Sequence, residues 1–180
     1  MPQLTLRLAL LCLIGLAGCT GTVDATFDAS GKAMPQVYRI QPGDIGRIQG
    51  RMLQAVNGLR AARGLGPLAL NAELNAAAAT HARDMSVQNR PWHFGSDGSS
   101  PLDRVARAGY AGGLRGELIS ETYETELETL AGWMERDDTR LILFDPDARE
   151  MGLGVHQEAP GKLWWAMVLG DGGAGLRAGS

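Results

Sequence analysis

The chain has three imidazoles, His81, His93 and His156. An imidazole beside carboxylates can hold a divalent cation such as zinc, or can relay a proton. His93 lies between Trp92 and Phe94 in a polar loop, where it either hydrogen-bonds the loop into shape or faces a cleft. Ser96, Ser99 and Ser100 follow closely, but loops are rich in serine and this proximity does not define a nucleophile–base dyad. His81 falls on the apolar face of a helical segment and is read as a buried, hydrogen-bonded packing residue. The direction of His156 is not fixed by the sequence. There is no Gly-x-x-x-x-Gly-Lys and no Gly-x-Ser-x-Gly, so the P-loop and the nucleophile elbow are absent.

The elements that must position these residues follow from periodicity. Ile45, Ile48, Met52, Leu53, Val56 and Leu59 recur at helical spacing, and Gly64 closes that helix. Asn71 suits the N-cap of a second helix, with Leu74, Ala77, Ala78, His81, Ala82 and Met85 on one face. Its run Ala76–Ala79 allows a close neighbour. Residues 88–100 read as loop and 102–108 as a short helix ended by Gly109. Residues 122–134 read as a helix through Leu127, Leu130 and Trp133, with Glu121, Glu124, Glu126 and Glu128 as a solvated acidic start favoured by the helix dipole. The apolar runs 151–155 and 163–169, separated by Ala159-Pro160-Gly161-Lys162, signal a hairpin. Trp133, Trp164 and Trp165 are core candidates. Helices around a small sheet make the class α+β.

The two cysteines, Cys12 and Cys19, exclude a disulfide framework or a thiolate zinc cage. Leu8 to Gly18 is apolar or small throughout, too short for a comfortable bilayer span, and reads as the hydrophobic region of a secretory signal. It ends in Leu16-Ala17-Gly18-Cys19, which resembles the bacterial lipobox. Residues 1–18 are therefore expected to be a lipoprotein signal peptide and Cys19 the lipidated residue. Residues 19–45, mixed Gly, Thr, Ser and Asp with Pro35 and Pro42, read as a lipid-anchored flexible linker, within which residues 37–40 could form a strand or a packed arm. A folded domain over 46–172 and a Gly-rich tail over 173–180 complete the organisation. Thr20 in place of Asp after the cysteine favours the outer membrane, facing the periplasm, if the host is Gram-negative.

At 180 residues, 44% hydrophobic and 21% charged, the chain is neither a disordered segment nor a multispan membrane protein. Its net charge of -3 and lack of a Lys/Arg cluster argue against nucleic acid as a partner.

An ordered series of short motifs remains: Asn57 and Arg60, His81 and Met85, Trp92-His93-Phe94, Asp97-Gly98, Asp103-Arg104, Gly109-Tyr110, Gly116-Glu117, Trp133-Met134, Gly152-Leu153-Gly154 and Trp164-Trp165. In order and spacing it resembles the CAP superfamily (cysteine-rich secretory proteins, antigen 5 and pathogenesis-related proteins), in its bacterial, secreted, disulfide-free branch. The resemblance runs from about residue 48 to 170. It implies a three-layer α-β-α sandwich with a small antiparallel central sheet and a cleft lined by two histidines and acidic residues. His93 matches the first cleft histidine and Glu117 the cleft glutamate. The chain departs from the pattern at Leu118 and Ile142, where asparagines are expected, and at Thr139, which stands where the second cleft histidine belongs. A hydroxyl is a poor zinc ligand, so no cofactor is expected and zinc is disfavoured.

Glu117 either binds a ligand or pins nearby backbone N–H groups, and Asp97, Asp103 and Arg104 are read as fixing loop geometry. Three functions stay open. One is a non-catalytic envelope module that binds a small, lipidic or peptidic ligand or a partner. Another is a hydrolase, such as a peptidase, using His93 and Glu117. The third is lipid or sterol binding.

Overall fold

The computed structural model describes residues 38–173. The lipobox, Cys19, the linker up to residue 37 and residues 174–180 of the tail lie outside the described residues.

Helix α1, Ile45–Ala61, buries Ile48, Met52 and Val56 along one stripe, and Gly64 turns the chain at φ 69°. Strand β1 is the two-residue Ala69–Leu70. Helix α2, Ala72–Gln88, starts where the Asn71 side chain accepts from the Leu74 N–H at 2.9 Å. Helix α3, Pro101–Arg107, is opened by a reciprocal Ser100–Asp103 capping box. Strand β2 is Leu114–Thr122. Helix α4, Glu126–Glu135, has a second capping box from Thr125 and Glu128, and α5 follows as Asp137–Leu143. Strands β3, Glu150–Gln157, and β4, Leu163–Gly170, form the expected hairpin.

The sheet order is β1-β3-β4-β2. β4 runs antiparallel to both its neighbours, β3 and β2, but β1 runs parallel to β3. The sheet is therefore mixed rather than purely antiparallel. The parallel contact is two residues long, made as the chain passes from the turn after α1 into α2.

One core lies between the sheet and α1, α4 and α5, with Met151, Leu153, Trp165, Met167 and Leu118 on that face. The other lies against α2 and α3, with Trp164, Ala166 and Val168. On this second face Gly152 and Gly154 let α2 settle onto β3. A Cβ at Gly154 would sit 2.1 Å from the Ala79 nitrogen, and one at Gly152 2.1 Å from the Leu74 carbonyl carbon. The alanine run of α2 and this Gly-x-Gly are two sides of one close contact.

The Asn57 and Arg60 pair is structural. Asn57 exchanges two hydrogen bonds with the Leu68 backbone, at 2.9 and 2.8 Å. Arg60 is fully buried and donates to the carbonyls of Gly66, Leu143, Asp145 and Ala148. A guanidinium has enough donors to satisfy that many acceptors at once.

The acidic start of α4 is not uniformly solvated. Glu126 is buried, accepts from Arg51 at 2.5 Å and from the Tyr38 hydroxyl at 3.0 Å. Its partners come from a distant helix and from the arm before α1, so helix-end periodicity does not reveal it. Tyr38 and Ile40 pack on the domain as an arm, with Gln157 accepting from the Ile40 N–H and donating to the Tyr38 carbonyl.

Candidate functional site

Strand alternation decides what β2 presents. Leu118 points into the core under α1 and α4, fully buried. That explains an apolar residue where the family pattern has a polar one. Glu117 points to the opposite face and is 5% exposed. Three elements converge on its carboxylate. Arg104 of α3 approaches with one terminal nitrogen, 2.6 Å from Oε2 and 2.9 Å from Oε1. His93, from the loop after α2, places Nδ1 2.9 Å from Oε1. His81 of α2 has Nε2 3.6 Å from the same oxygen.

Donor logic fixes the tautomers. In the His93–Glu117 bond an ionised carboxylate only accepts, so His93 Nδ1 carries the proton and donates. Its Nε2 is left as an acceptor on a ring that is half exposed. His81 Nε2 lies 3.0 Å from the Trp92 carbonyl oxygen, so it donates there, and its Nδ1 is buried with no partner. Burial pushes the His81 pKa below its ordinary value, outweighing the raising effect of Glu117. His81 is thus the packing residue the sequence suggested, holding the Trp92–His93 segment.

Arg104 does more than shape the loop. It donates to the carbonyls of Ser99 and His93, each at 3.0 Å, and the same side chain forms the buried ion pair with Glu117. Its position beside Asp103 in the sequence suggests only a loop-fixing role. An arginine on a short amphipathic helix gives no signal of which carboxylate it will meet.

His93, Glu117 and Thr139 do line one open cavity, of about 510 Å³, together with Trp92, Arg136 and Ile142 among others. The Thr139 hydroxyl is engaged in the turn between α4 and α5, where it donates to the Trp133 carbonyl at 2.5 Å. Ile142 packs over the backbone of Gly116, where a Cβ would meet its Cγ2 at 2.6 Å. His156 does not line the cavity. It sits on β3, separated from β2 by β4, and its pKa is lowered by burial and by Arg83. The loop serines have other partners: Ser96 donates to Asp84 and Ser100 caps α3. No described hydroxyl bonds to the His93 ring.

These donors do not fit a zinc ion. Such a site needs three or four protein ligands, and among the described residues no group of three His, Cys, Asp or Glu side chains is so placed. Glu117 is held by Arg104, and His93 offers one nitrogen.

Comparison with known proteins agrees with this architecture. Residues 53–169 match the CAP, cysteine-rich secretory protein, family, and the chain belongs to it. It is similar to YkwD, an uncharacterised protein of Bacillus subtilis, at 24% identity over 129 residues, covering 72% of this chain and 49% of YkwD. The chain thus spans about half the length of that relative. Among solved structures it resembles an extracellular SCP-domain protein of Bacillus anthracis, with a TM-score of 0.64, 20% identity, and 73% of this chain and 44% of that one covered. It also resembles an outer surface protein of Borrelia burgdorferi, with a TM-score of 0.64, 15% identity, and 75% and 98% covered.

Proposed function

We propose that this CAP-domain protein is lipid-anchored through Cys19 in the bacterial cell envelope, where its cleft binds a small, lipidic or peptidic ligand, or a partner, without catalysis. In a Gram-negative host the Leu-Ala-Gly-Cys tetrapeptide and Thr20 favour the outer membrane, facing the periplasm. Relatives described as extracellular or as outer surface proteins are compatible with an envelope location. The observation that carries the binding reading is the polar network under the cleft, in which the carboxylate and the hydroxyl are already engaged. Glu117 is engaged by Arg104 and His93, Thr139 by a backbone carbonyl, and one imidazole nitrogen is left to face a ligand. Such a site recognises a donor and has no side-chain nucleophile beside its base.

A second reading keeps one point in its favour. Glu117 orients His93 with Nε2 outward, as a carboxylate orients a general base that activates water. Fluorogenic peptide and ester substrates with the purified protein separate the two. Binding without chemistry gives no turnover that depends on His93. Turnover abolished by His93→Ala would establish the hydrolase.

A further inference from the structure

β2 is a marginal strand, flanked only by β4, and the register fixes which of its backbone groups are free. The Met151 carbonyl turns away from β4 to accept from the Asn71 N–H. Met151 pairs with Leu169, Leu153 with Met167 and Val155 with Trp165. By the alternation of an antiparallel ladder, Leu169, Met167 and Trp165 turn their backbone groups toward β2. Their partners there are Gly116, Leu118 and Ser120. Glu117, Ile119 and Glu121 therefore point N–H and C=O outward. An independent contact agrees with this parity: the Ile119 carbonyl accepts from the Trp133 indole N–H at 3.1 Å.

Among the described residues nothing else bonds to the outward N–H groups of Ile119 and Glu121 or to the carbonyls of Glu117 and Glu121. The cleft runs along this edge. Five consecutive residues, 117–121, line it, with α5 as one wall and residues 91–93 as the other. That is about 13 Å of strand at ~3.3 Å per residue. The acids along the cleft already have cations: Glu117 has Arg104, Glu121 has Lys162 and Asp138 has Arg136. The lining asks for no ionic ligand, and its open polar groups are mostly main-chain ones spaced as only another strand matches.

We propose that the ligand of this cleft is an extended peptide segment, uncharged where it lies in the cleft, that adds to β2 as a further strand. It bonds Ile119 and Glu121 through its main chain and sets alternate side chains beside His93. This rests on the ligand-binding reading above and narrows it to one ligand class.

The test uses a random linear heptapeptide library screened on the purified full-length protein, followed by synthetic blocked copies of the selected peptides. Strand addition predicts that N-methylation at alternate peptide residues abolishes binding. Glu121→Pro, which removes an outward N–H and no ladder bond, should weaken binding about fivefold, the worth of one hydrogen bond. Glu121→Ala should stay within about twofold, because only the side chain is lost. The NMR shift of the His93 ring reports occupancy of the cleft, and the N-methyl scan carries the test if Glu121→Pro does not fold. Peptides that move the His93 signal but ignore both perturbations would overturn strand addition and leave the ligand-binding reading standing. Failure to select any peptide, or selection only of peptides that leave His93 unmoved, would overturn the peptide assignment. A protein dimer lost in Glu121→Pro would identify a second copy as the occupant and also overturn it.

Discussion

Replacing Arg104 by methionine keeps the length of the stem and removes the charge, so it isolates the guanidinium. The side chain is 6% exposed and its partner Glu117 5% exposed. Water cannot take over the lost contact. Breaking a buried pair by removing one partner costs about 3–5 kcal/mol, because the remaining charge stays buried without compensation. The Ser99 and His93 carbonyls lose a donor in the same step, which keeps the expected loss within that range rather than below it. For a domain of this size ~1 kcal/mol corresponds to about 2–4 °C, so the melting temperature should fall by roughly 10 °C. Glu117→Gln should cost less, since Arg104 keeps its two carbonyl acceptors. Adding Glu117→Gln to Arg104→Met removes the orphaned charge, and the double variant should recover about 2 kcal/mol relative to the sum of the singles. Urea unfolding of the four proteins measures this coupling. A loss below about 1 kcal/mol for Arg104→Met, or strict additivity in the double variant, would refute the buried ion pair as the keystone of the cleft floor.

Gly154→Ala should destabilise the fold by about 3 kcal/mol, since the new methyl meets backbone and not a movable side chain. Gly58→Ala, where a Cβ meets nothing within 4 Å, should stabilise α1 by about 0.5–1 kcal/mol, and thermal melts compare the two. His81 and His156 are both held below the ordinary value of 6.5. The unfolded chain therefore binds protons below that pH that the folded chain refuses, so stability is complete above it and falls as the pH drops. Urea unfolding between about pH 7.5 and pH 5 should show this loss, reduced in His156→Gln, and a flat profile would contradict it. Cys19→Ser should abolish metabolic lipid labelling and leave an unprocessed precursor; persistent labelling would remove the lipobox assignment.

The elements that pack on both sides of the sheet were legible in the sequence, and those at its margin were not. α1 and α2 announce themselves because their buried stripes are apolar but for one residue each, Arg60 and His81, and the β3–β4 hairpin because both strands carry buried apolar runs. β2 reads poorly because it carries Arg115, Gly116, Glu117, Ser120 and Glu121. A marginal strand with one side on a polar cleft has no need of an alternating apolar pattern. For the same reason the helix expected over 122–134 begins at Glu126, with Thr122 still in β2. α5 is one short helix whose opening Asp137 and Asp138 look like loop, and β1 is too short to give any signal. At the site, the meeting of His93, Glu117 and Thr139 in one cavity followed from the family pattern. The roles of Arg104 and Glu126 did not, because a buried ion pair depends on which distant element supplies the counter-charge.

The central claim is that Glu117, fixed by Arg104, holds the His93 ring with Nδ1 protonated and Nε2 open to the cleft. Long-range ¹H–¹⁵N correlation of the histidine side chains, assigned with His93→Ala, reads this directly. The account predicts that neutral His93 carries its proton on Nδ1, and that Glu117→Gln alters that ring's signals more than those of His156. A neutral His93 protonated on Nε2 in the unmodified protein would contradict it, because the ring would then have no proton to give to Glu117.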